Sequence, residues 1–599
     1  MKFACFLMAC LPLAAADFSA SDAQAFLKRQ CLACHQGKAA VAGVNLAQIN
    51  AAGNLREQFP VWERLLARVK AGEMPPKSIP GPLPKEREAF VTWTEATLRK
   101  AVCASDITPV QTSIRRLNRD EYTATLRDLL GIHVNAGQSL PADGAGGEGF
   151  DNAGETLFLS PIHAEKYLEA AKQALRYAAS DPKARAKLLP TPDARKNIEA
   201  FLPRAFRRPA RSQETERYMA LVQAAQKRGE SVDDAVLYAF QGILISPLFL
   251  FQTETSPGYA MASRLSYFLW GSMPDEALFD LAAHGKLHDP VVLNEQVARM
   301  LKDVKARDFC ERFIEQWLNT RELGRDIKPD RTLFPAYYDA ELQGAIRYEP
   351  VLFFQELLAE NESLLNLIDS DYTFLTNKLQ KHYSLNPDAK HKLSQQPLHV
   401  DLPPGSHRGG VLGMAAVLAV SSYPQRTSPV LRGKWILEAM LGTPPPPPPP
   451  NVPALPEAHP GDVAMSIRER LSQHRKDPVC ASCHSKIDPL GFALDNYDVL
   501  GRYRTEDAGQ PIDASGQLPD GTAFNGPGEL RNIMLARKDA FIRNLAAKLL
   551  GYALGRGLKF EDQCLVDQIV AETRRDGYRA QSLIRAIVQS PAFHSAFQR

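Results

Sequence analysis

Residues 480–504 read CASCHSKIDPLGFALDNYDVLGRYR, and this stretch decides how the rest of the chain is interpreted. It opens with a CxxCH pentad, in which Cys480 and Cys483 precede His484. At this spacing two thiols can add to the vinyl groups of one haem while the adjacent histidine ligates its iron. The stretch therefore predicts covalently attached redox iron.

A second pentad lies near the amino terminus, where Cys31 and Cys34 precede His35. The chain contains only nine cysteines, so two pentads among them are difficult to ascribe to chance. We expect two haems c, with His35 and His484 as iron ligands. A zinc site or a disulfide at either cysteine pair is the alternative that the spacing leaves open.

The first residues have the pattern of an export signal. Lys2 is followed by an apolar run that ends in the small residues Ala14–Ala16. We expect residues 1–16 to be cleaved before Asp17, with lipid attachment at Cys10 as the alternative. Haem c is attached outside the cytoplasm, so the signal and the pentads support each other. The expected location is the periplasm or the cell surface.

Composition narrows the possible partners. The chain has 599 residues, enough for several domains, and its 45% hydrophobic and 23% charged content is that of an ordinary soluble protein. A net charge of +3, without a basic run interleaved with aromatic residues, argues against nucleic acid as a partner. The apolar run 411–420 is too short to span a membrane, so we expect no transmembrane segment in the mature chain.

The region after the signal reads as a small helical domain. Ser21 and Gln24 have capping-box spacing before the first pentad, and a second helix after Phe59 is expected to end at Gly72. Met74 then stands next to two prolines, on a stiff loop suited to presenting a thioether. Residues 17–105 resemble a class I cytochrome c, and the resemblance implies His35 as proximal and Met74 as distal ligand. Met74 as a core filler is the alternative.

The middle and the end of the chain show helical periodicity and no sustained alternation of period two, so we predict a mainly α, multidomain protein. Asn118 and Glu121 are spaced as a capping box, and Gly131 is the expected helix stop. Asp143, Glu148, Asp151 and Asn152 surround a glycine-rich loop. They have no ordered calcium-ligand spacing, so we interpret them as turn and capping residues.

A series of motifs extends the interpretation to nearly the whole chain. In order they are Arg116-Leu117-Asn118-Arg119, Gly149-Phe150-Asp151-Asn152, Arg204-Ala205-Phe206-Arg207-Arg208-Pro209, Ser246-Pro247, Thr427-Ser428-Pro429, a seven-proline strut at 444–450, and Asp488-Pro489-Leu490-Gly491-Phe492. Together they resemble the large exported cytochromes of Planctomycetes, Verrucomicrobia and Acidobacteria that are built from domains of unknown function (DUFs). In these proteins a planctomycete-type cytochrome c module often comes first.

The resemblance implies a domain order after the amino-terminal module. The expected helical domains are DUF1587 at 108–175, DUF1595 at 190–255, DUF1592 at 256–390, DUF1588 with the proline strut and second pentad at 400–505, and DUF1585 at 506–599.

The two sites differ in what the sequence offers as a distal ligand. Met465, His474 and Met534 are the candidates near the second pentad, and an open position is a further possibility. Asp488, Arg502 and Arg504 could orient His484 or meet haem propionates, or could be a turn residue and solvated arginines.

We expect an exported dihaem cytochrome that transfers electrons to or from a redox partner protein. One alternative is a peroxidase-like or oxygenase-like enzyme that uses the second haem. The other is a surface scaffold with accessory haem. The sequence assigns neither catalytic residues nor an oligomeric state.

Overall fold

The computed structural model describes residues 18–37, 41, 44–53, 55–76, 79–103, 112–252, 257–385, 394–445, 467–474, 478–507, 509–595 and 597–598. For a few of these residues, Cys480 among them, the side chain is not described. The expected export signal, Met465 and the strut prolines 446–450 lie outside the described residues. The described chain forms two compact units, residues 18–103 and residues 112–598.

The first unit contains three helices, α1 (Ala20–Gln30), α2 (Phe59–Lys70) and α3 (Pro84–Cys103). The capping box of α1 is made by Ser19 and Asp22, so the predicted Ser21/Gln24 box was wrong. Gln24 instead binds the backbone of Ile49 and Ala51, which ties α1 to the loop after the pentad. As predicted, α2 ends just before Gly72, whose φ of +70° favours glycine.

The core of the first unit is aromatic. Phe26 of α1 stacks on Phe90 of α3 with ring centroids 4.1 Å apart, and Trp62 of α2 meets Trp93 of α3 at 6.1 Å. Phe26, Phe90 and Trp62 are fully buried. These contacts fix the orientation of α1, and the first pentad follows directly at its carboxy-terminal end.

The second unit is mainly helical. Its helices are α4 (Arg119–Leu130), α5 (Pro161–Ser180), α6 (Pro182–Leu188), α7 (Ala194–Phe206), α8 (Ser212–Lys227), α9 (Val232–Leu244), α10 (Pro247–Leu250), α11 (Pro257–Leu269), α12 (Glu276–Ala283), α13 (Pro290–Lys302), α14 (Ala306–Trp317), α15 (Ala340–Ala359), α16 (Asn377–His382), α17 (Ala415–Val420), α18 (Pro429–Trp435), α19 (Ile467–His474), α20 (Pro478–Phe492), α21 (Gly526–Ala536), α22 (Lys538–Leu554), α23 (Asp562–Arg575), α24 (Ala580–Val588) and α25 (Pro591–His594). One π-helical turn, Ile436–Met440, continues α18. The predicted mainly helical, multidomain fold is confirmed.

The strands of the second unit are short and pair two by two. They are β1 (Thr112–Ser113), β2 (Tyr372–Leu375), β3 (Leu398–Asp401), β4 (Glu506–Asp507), β5 (Gln510–Pro511), β6 (Ser515–Gln517), β7 (Ala523–Asn525) and β8 (Phe597–Gln598). The β1/β8 pair is parallel, whereas β2/β3, β4/β5 and β6/β7 are antiparallel. Pairs of this length cannot form an independent core, so the helices carry the fold.

Two large hydrophobic cores organise these helices. One lies among α4 to α10, and the other joins α11 to α15 with α18, α20 and the carboxy-terminal helices α21 to α25. At the entry to the first core, Asn118 caps α4 together with Glu121, and Gly131 ends the helix with φ +70°, as predicted.

Within the described residues, no helix is both long and apolar enough to cross a membrane.

Candidate functional site

The first pentad begins where α1 ends. Cys31 is the carboxy-terminal cap of α1, and its carbonyl accepts hydrogen bonds from the backbone N–H groups of Cys34 and His35. These bonds continue the helical turn, so the two cysteines and the histidine are presented close together. Both thiols are free, with Cys31 half-buried and Cys34 exposed.

His35 is held by a backbone carbonyl. Its Nδ1 lies 3.1 Å from the oxygen of Val44, and its own carbonyl accepts from Leu46 N at 2.8 Å. A carbonyl oxygen can only accept, so Nδ1 carries the hydrogen and Nε2 of the neutral ring keeps its lone pair. The structure therefore holds His35 in the tautomer that ligates a metal through Nε2.

The chemistry of the first cysteine pair bears on the zinc alternative. Burial raises the pKa of the Cys31 thiol to about 11, so Cys31 is protonated at neutral pH. Zinc binds thiolates, whereas haem attachment consumes thiols as thioethers. A bound zinc ion would itself deprotonate the thiol, so the burial of Cys31 does not decide between a haem and a zinc site.

The buried indole of Trp62, in the first unit, also bears on whether this unit fits a haem. Trp62 is fully buried, and its Nε1 has no hydrogen-bond partner among the described residues. A buried N–H without an acceptor is costly, so a polar group of a bound molecule is the expected partner. A haem carries two carboxylates, and one of them would satisfy this donor. The residues present thus fit a haem in this unit.

Met74 lies on the loop that follows α2. Its N–H donates to Arg68 O at 3.2 Å, and its side chain is partly exposed between Gly72 and Pro75. This is the stiff loop that the sequence predicts. The role of Met74 as a distal ligand stays a prediction.

The second pentad lies on a helix. Cys483 and His484 are in α20, and the Cys483 side chain is partly buried. His484 Nδ1 lies 2.8 Å from Asp488 Oδ1, one helical turn further on. The Asp488 side chain is fully buried, and the His484 side chain is 18% exposed. Asp488 thus orients His484, one of the roles that the sequence offered for it, and an ionised Asp488 fixes the hydrogen on Nδ1.

Two glycines bring α20 against α18. A Cβ built on Gly433 would lie 1.9 Å from Ile487 O, and one on Gly491 would lie 1.7 Å from Pro429 O. Backbone atoms cannot move aside as a side chain can, so neither position admits a larger residue. The crossing of α18 and α20 sets the orientation of the helix that carries His484.

A buried arginine holds the far end of the same helix. Arg432 is fully buried and donates to Leu494 O at 2.5 Å, Tyr497 O at 2.8 Å and Asp498 O at 2.9 Å. Burial lowers the pKa of Arg432 to about 10, which leaves it charged at neutral pH. These carbonyls follow the last turn of α20, where unpaired acceptors accumulate. The sequence analysis assigned Arg432 no role.

A hydrogen bond of Thr427 gives the Thr427-Ser428-Pro429 motif a structural role. Its Oγ1 donates to Asp495 Oδ1 at 2.9 Å, so the Thr427-Ser428-Pro429 turn is joined to the segment after α20. Arg502 pairs with Asp498 at 2.7 Å, and Arg504 pairs with Asp507 at 2.5 Å. Arg504 also donates to Thr427 Oγ1 at 3.3 Å, so Arg502 contacts its own segment whereas Arg504 also joins that segment to the Thr427 turn.

The remaining candidates of the sequence analysis fall into three groups. Met534 is fully buried in the second hydrophobic core. The side chain of His474 and all of Met465 lie outside the described residues. The four acidic and amide residues of the glycine-rich loop have structural partners: Asp143 binds Arg116, Glu148 binds Lys548, Asp151 binds Arg321 and Asn152 binds Tyr552 O. In the described part of the chain, no group of three or more His, Cys, Asp or Glu residues could hold a metal ion.

Comparison with known protein families gives five matches along the second unit. Each is described as a protein of unknown function: DUF1587 at 115–180, DUF1595 at 193–254, DUF1592 at 257–385, DUF1588 at 408–507 and DUF1585 at 520–593. No curated protein and no solved structure matches the chain. The second pentad, Arg432 and Asp488 all lie within the DUF1588 match. The chain belongs to the family of multidomain proteins that carry DUF1587, DUF1595, DUF1592, DUF1588 and DUF1585 domains.

Proposed function

We propose that this chain is an exported cytochrome that carries two covalently attached haems c and transfers electrons. Cys31, Cys34 and His35 would hold the first haem, with Met74 as its distal ligand. Cys480, Cys483 and His484 would hold the second. Bound haem supplies one-electron chemistry at its iron.

One observation carries the proposal: both pentad histidines bind an acceptor through Nδ1. His35 donates to the Val44 carbonyl, and His484 donates to the Asp488 carboxylate. Metal-ligating histidines almost always have such a partner on the other ring nitrogen, because it fixes the tautomer and the ring orientation. Two separate histidines, each directly after a CxxC spacing, share this arrangement.

The proposal includes the location and the partner. The pattern of residues 1–16 supports export to the periplasm or the cell surface, where a redox partner protein would exchange electrons with the haems. Amino-terminal sequencing of the mature protein is expected to begin at Asp17. A mature chain that retained residues 1–16 and stayed in the cytoplasm would contradict this part.

The haem count is the decisive experiment. The chain should be produced with its signal in a host competent in cytochrome maturation and assayed by pyridine haemochrome. We expect two covalently bound haems per chain. A colourless mature protein would overturn the proposal, and a count of one would overturn its two-haem form.

A haem-dependent oxidoreductase is the second candidate, and the Asp488 contact favours it. A carboxylate on Nδ1 makes the histidine more basic, and a more basic axial ligand gives more electron density to the iron. This is a condition for reaction with peroxide or oxygen. The oxidised absorption spectrum decides between the candidates: a high-spin band that changes on adding cyanide or peroxide supports the enzyme, and inert low-spin iron supports electron transfer.

A further inference from the structure

A charged cleft of about 470 Å³ lies in the second unit between α4, α14 and α15. Its lining contains six arginines, Arg119, Arg127, Arg312, Arg321, Arg325 and Arg347, and four carboxylates. The lining therefore has two more positive than negative charges. Its volume is that of sites for small molecules, and its charged walls are unsuited to an apolar ligand.

The carboxylates of the cleft already have arginine partners. Asp308 pairs with Arg127 at 2.7 Å, and Asp120 pairs with Arg321 at 3.4 Å. Glu311 pairs with Arg347 at 2.7 Å, and Arg347 also binds the buried Glu315 at 2.5 Å. Three arginines thus pair with the four carboxylates of the cleft, and two of them, Arg127 and Arg321, also pair with Asp128 and Asp151 behind the lining.

Several arginine N–H donors of the cleft have no acceptor in the described residues. In the described residues, the side chains of Arg119 and Arg325 have no hydrogen-bond or ion-pair partner. Arg127 Nη2 is buried and is likewise without a partner there. A buried guanidinium N–H without an acceptor is costly, which indicates that something absent from the protein itself completes it.

The residues next to Arg119 in the sequence all have structural roles, which Arg119 does not share. Its neighbours in the sequence have structural roles: Arg115 pairs with Glu121, Arg116 pairs with Asp143, and Asn118 caps α4. Arg119 is the charged residue of this motif whose side chain lines the cleft without a described partner. The fold thus explains its neighbours and leaves Arg119 available to a ligand.

We propose that this cleft binds a small molecule bearing carboxylate or phosphate groups, held by Arg119, Arg127 and Arg325. Guanidinium groups match both oxyanions because two N–H donors align with two oxygens. Its lining residues include none from either pentad, and the proposal does not depend on the proposed electron transfer. Its ligand class follows from the arginine N–H donors that have no partner in the described residues.

Isothermal titration at low ionic strength tests the proposal on the full mature chain. The probes are inorganic phosphate and succinate, a simple dicarboxylate, and binding of one or both supports the site and distinguishes a phosphate from a carboxylate ligand. Arg119→Gln with Arg325→Gln should weaken the bound probe about tenfold or more, because charge-assisted hydrogen bonds are lost. Arg325→Gln alone, at an exposed position, should weaken it about threefold.

Arg195→Gln is the matched control, because Arg195 is exposed, pairs with Glu216 and lies outside the cleft. The affinity of the Arg195→Gln variant for the bound probe should equal that of the unmodified protein. Two results would overturn the proposal. One is the absence of heat with both probes, and the other is an affinity that falls equally in Arg195→Gln and in the cleft variants. Haem content is expected to be the same in all variants, which separates this test from the test of electron transfer.

Discussion

The two pentads share the CxxCH spacing but differ in the residues that surround the histidine. His35 lies on an irregular turn after α1 and donates to a backbone carbonyl at 3.1 Å. His484 lies inside α20 and donates to the fully buried carboxylate of Asp488 at 2.8 Å. The first partner is a backbone carbonyl and the second is a carboxyl group, so the same motif is given two different electronic environments.

The supports behind the two pentads differ as well. In the first unit an aromatic core of three helices holds the turn. In the second unit a glycine crossing holds α20 at Ile487 and Gly491, and the buried Arg432 holds the segment that follows the helix. Under the proposed function, the second site would give its haem the more basic histidine ligand. The following predictions test this contrast.

The largest effect is expected from removing one cysteine pair. Cys480→Ala with Cys483→Ala should halve the covalent haem, and Cys31→Ala with Cys34→Ala should remove the other half, because each pair would tether one haem under the proposed function. Pyridine haemochrome on the purified variants measures this. If either double variant kept the full haem content, the pentad concerned would not be an attachment site.

The next effect concerns the crossing of α18 and α20. Gly491→Ala should destabilise the protein by about 3 kcal/mol or more, because its Cβ would collide with Pro429 O and no rotamer relieves that clash. Thermal unfolding followed by near-ultraviolet circular dichroism measures the loss. The control is Gly344→Ala in α15, which has open space and should gain up to about 1 kcal/mol. Equal stability of the two variants would refute the close crossing.

A buried glutamate should make the second unit sensitive to pH. Glu349 accepts hydrogen bonds from Tyr383 OH at 2.6 Å and from Thr373 Oγ1 at 2.8 Å. Arg408 covers the Tyr383 ring and donates to Gly501 O, within the stretch that follows the second pentad. Burial raises the pKa of Glu349 from 4.5 to about 7. No carboxylate in the described residues 18–103 is buried in this way.

The folded chain keeps a proton on Glu349 at pH values where the unfolded chain has released it, since its folded pKa is about 7. Stability from this group is therefore complete below pH 4.5 and is lost as the pH rises to about 7. The loss is roughly 3 kcal/mol across that window. Glu349→Gln should abolish it, and urea unfolding at pH 4.5 and pH 7 compares the two proteins. Parallel pH profiles would contradict the prediction.

The smallest effect is on redox potential. The charge of Asp488 should stabilise ferric iron and give the second haem a lower potential than the first. Asp488→Asn keeps the side-chain shape and removes the charge, so the second potential should rise by roughly 50 mV, equivalent to about 1 kcal/mol. Spectroelectrochemical titration measures both haems together, and the first potential is the internal control. A rise in both potentials, or in neither, would refute the role of Asp488.

Local signals predicted local structure well. The Asn118/Glu121 box and the Gly131 stop are where the sequence places them, because a cap depends on residues three or four positions apart. The Ser21/Gln24 prediction failed for a tertiary reason: Gln24 is drawn to the backbone of Ile49 and Ala51, and Ser19 takes the cap with Asp22. The family was predicted from its ordered motifs, and all five domains are present.

Periodicity, short spacings and ordered motifs were enough to predict the helical class, the family and the candidate ligands Cys31, Cys34, His35, Met74, Cys480, Cys483 and His484. The role of Arg432, the glycine crossing and the unused arginines of the cleft became visible only in the folded chain. Arg432 contacts carbonyls more than sixty residues away, and the cleft joins residues 119 and 325. Partnerships across such separations depend on how the helices pack, which no local pattern encodes.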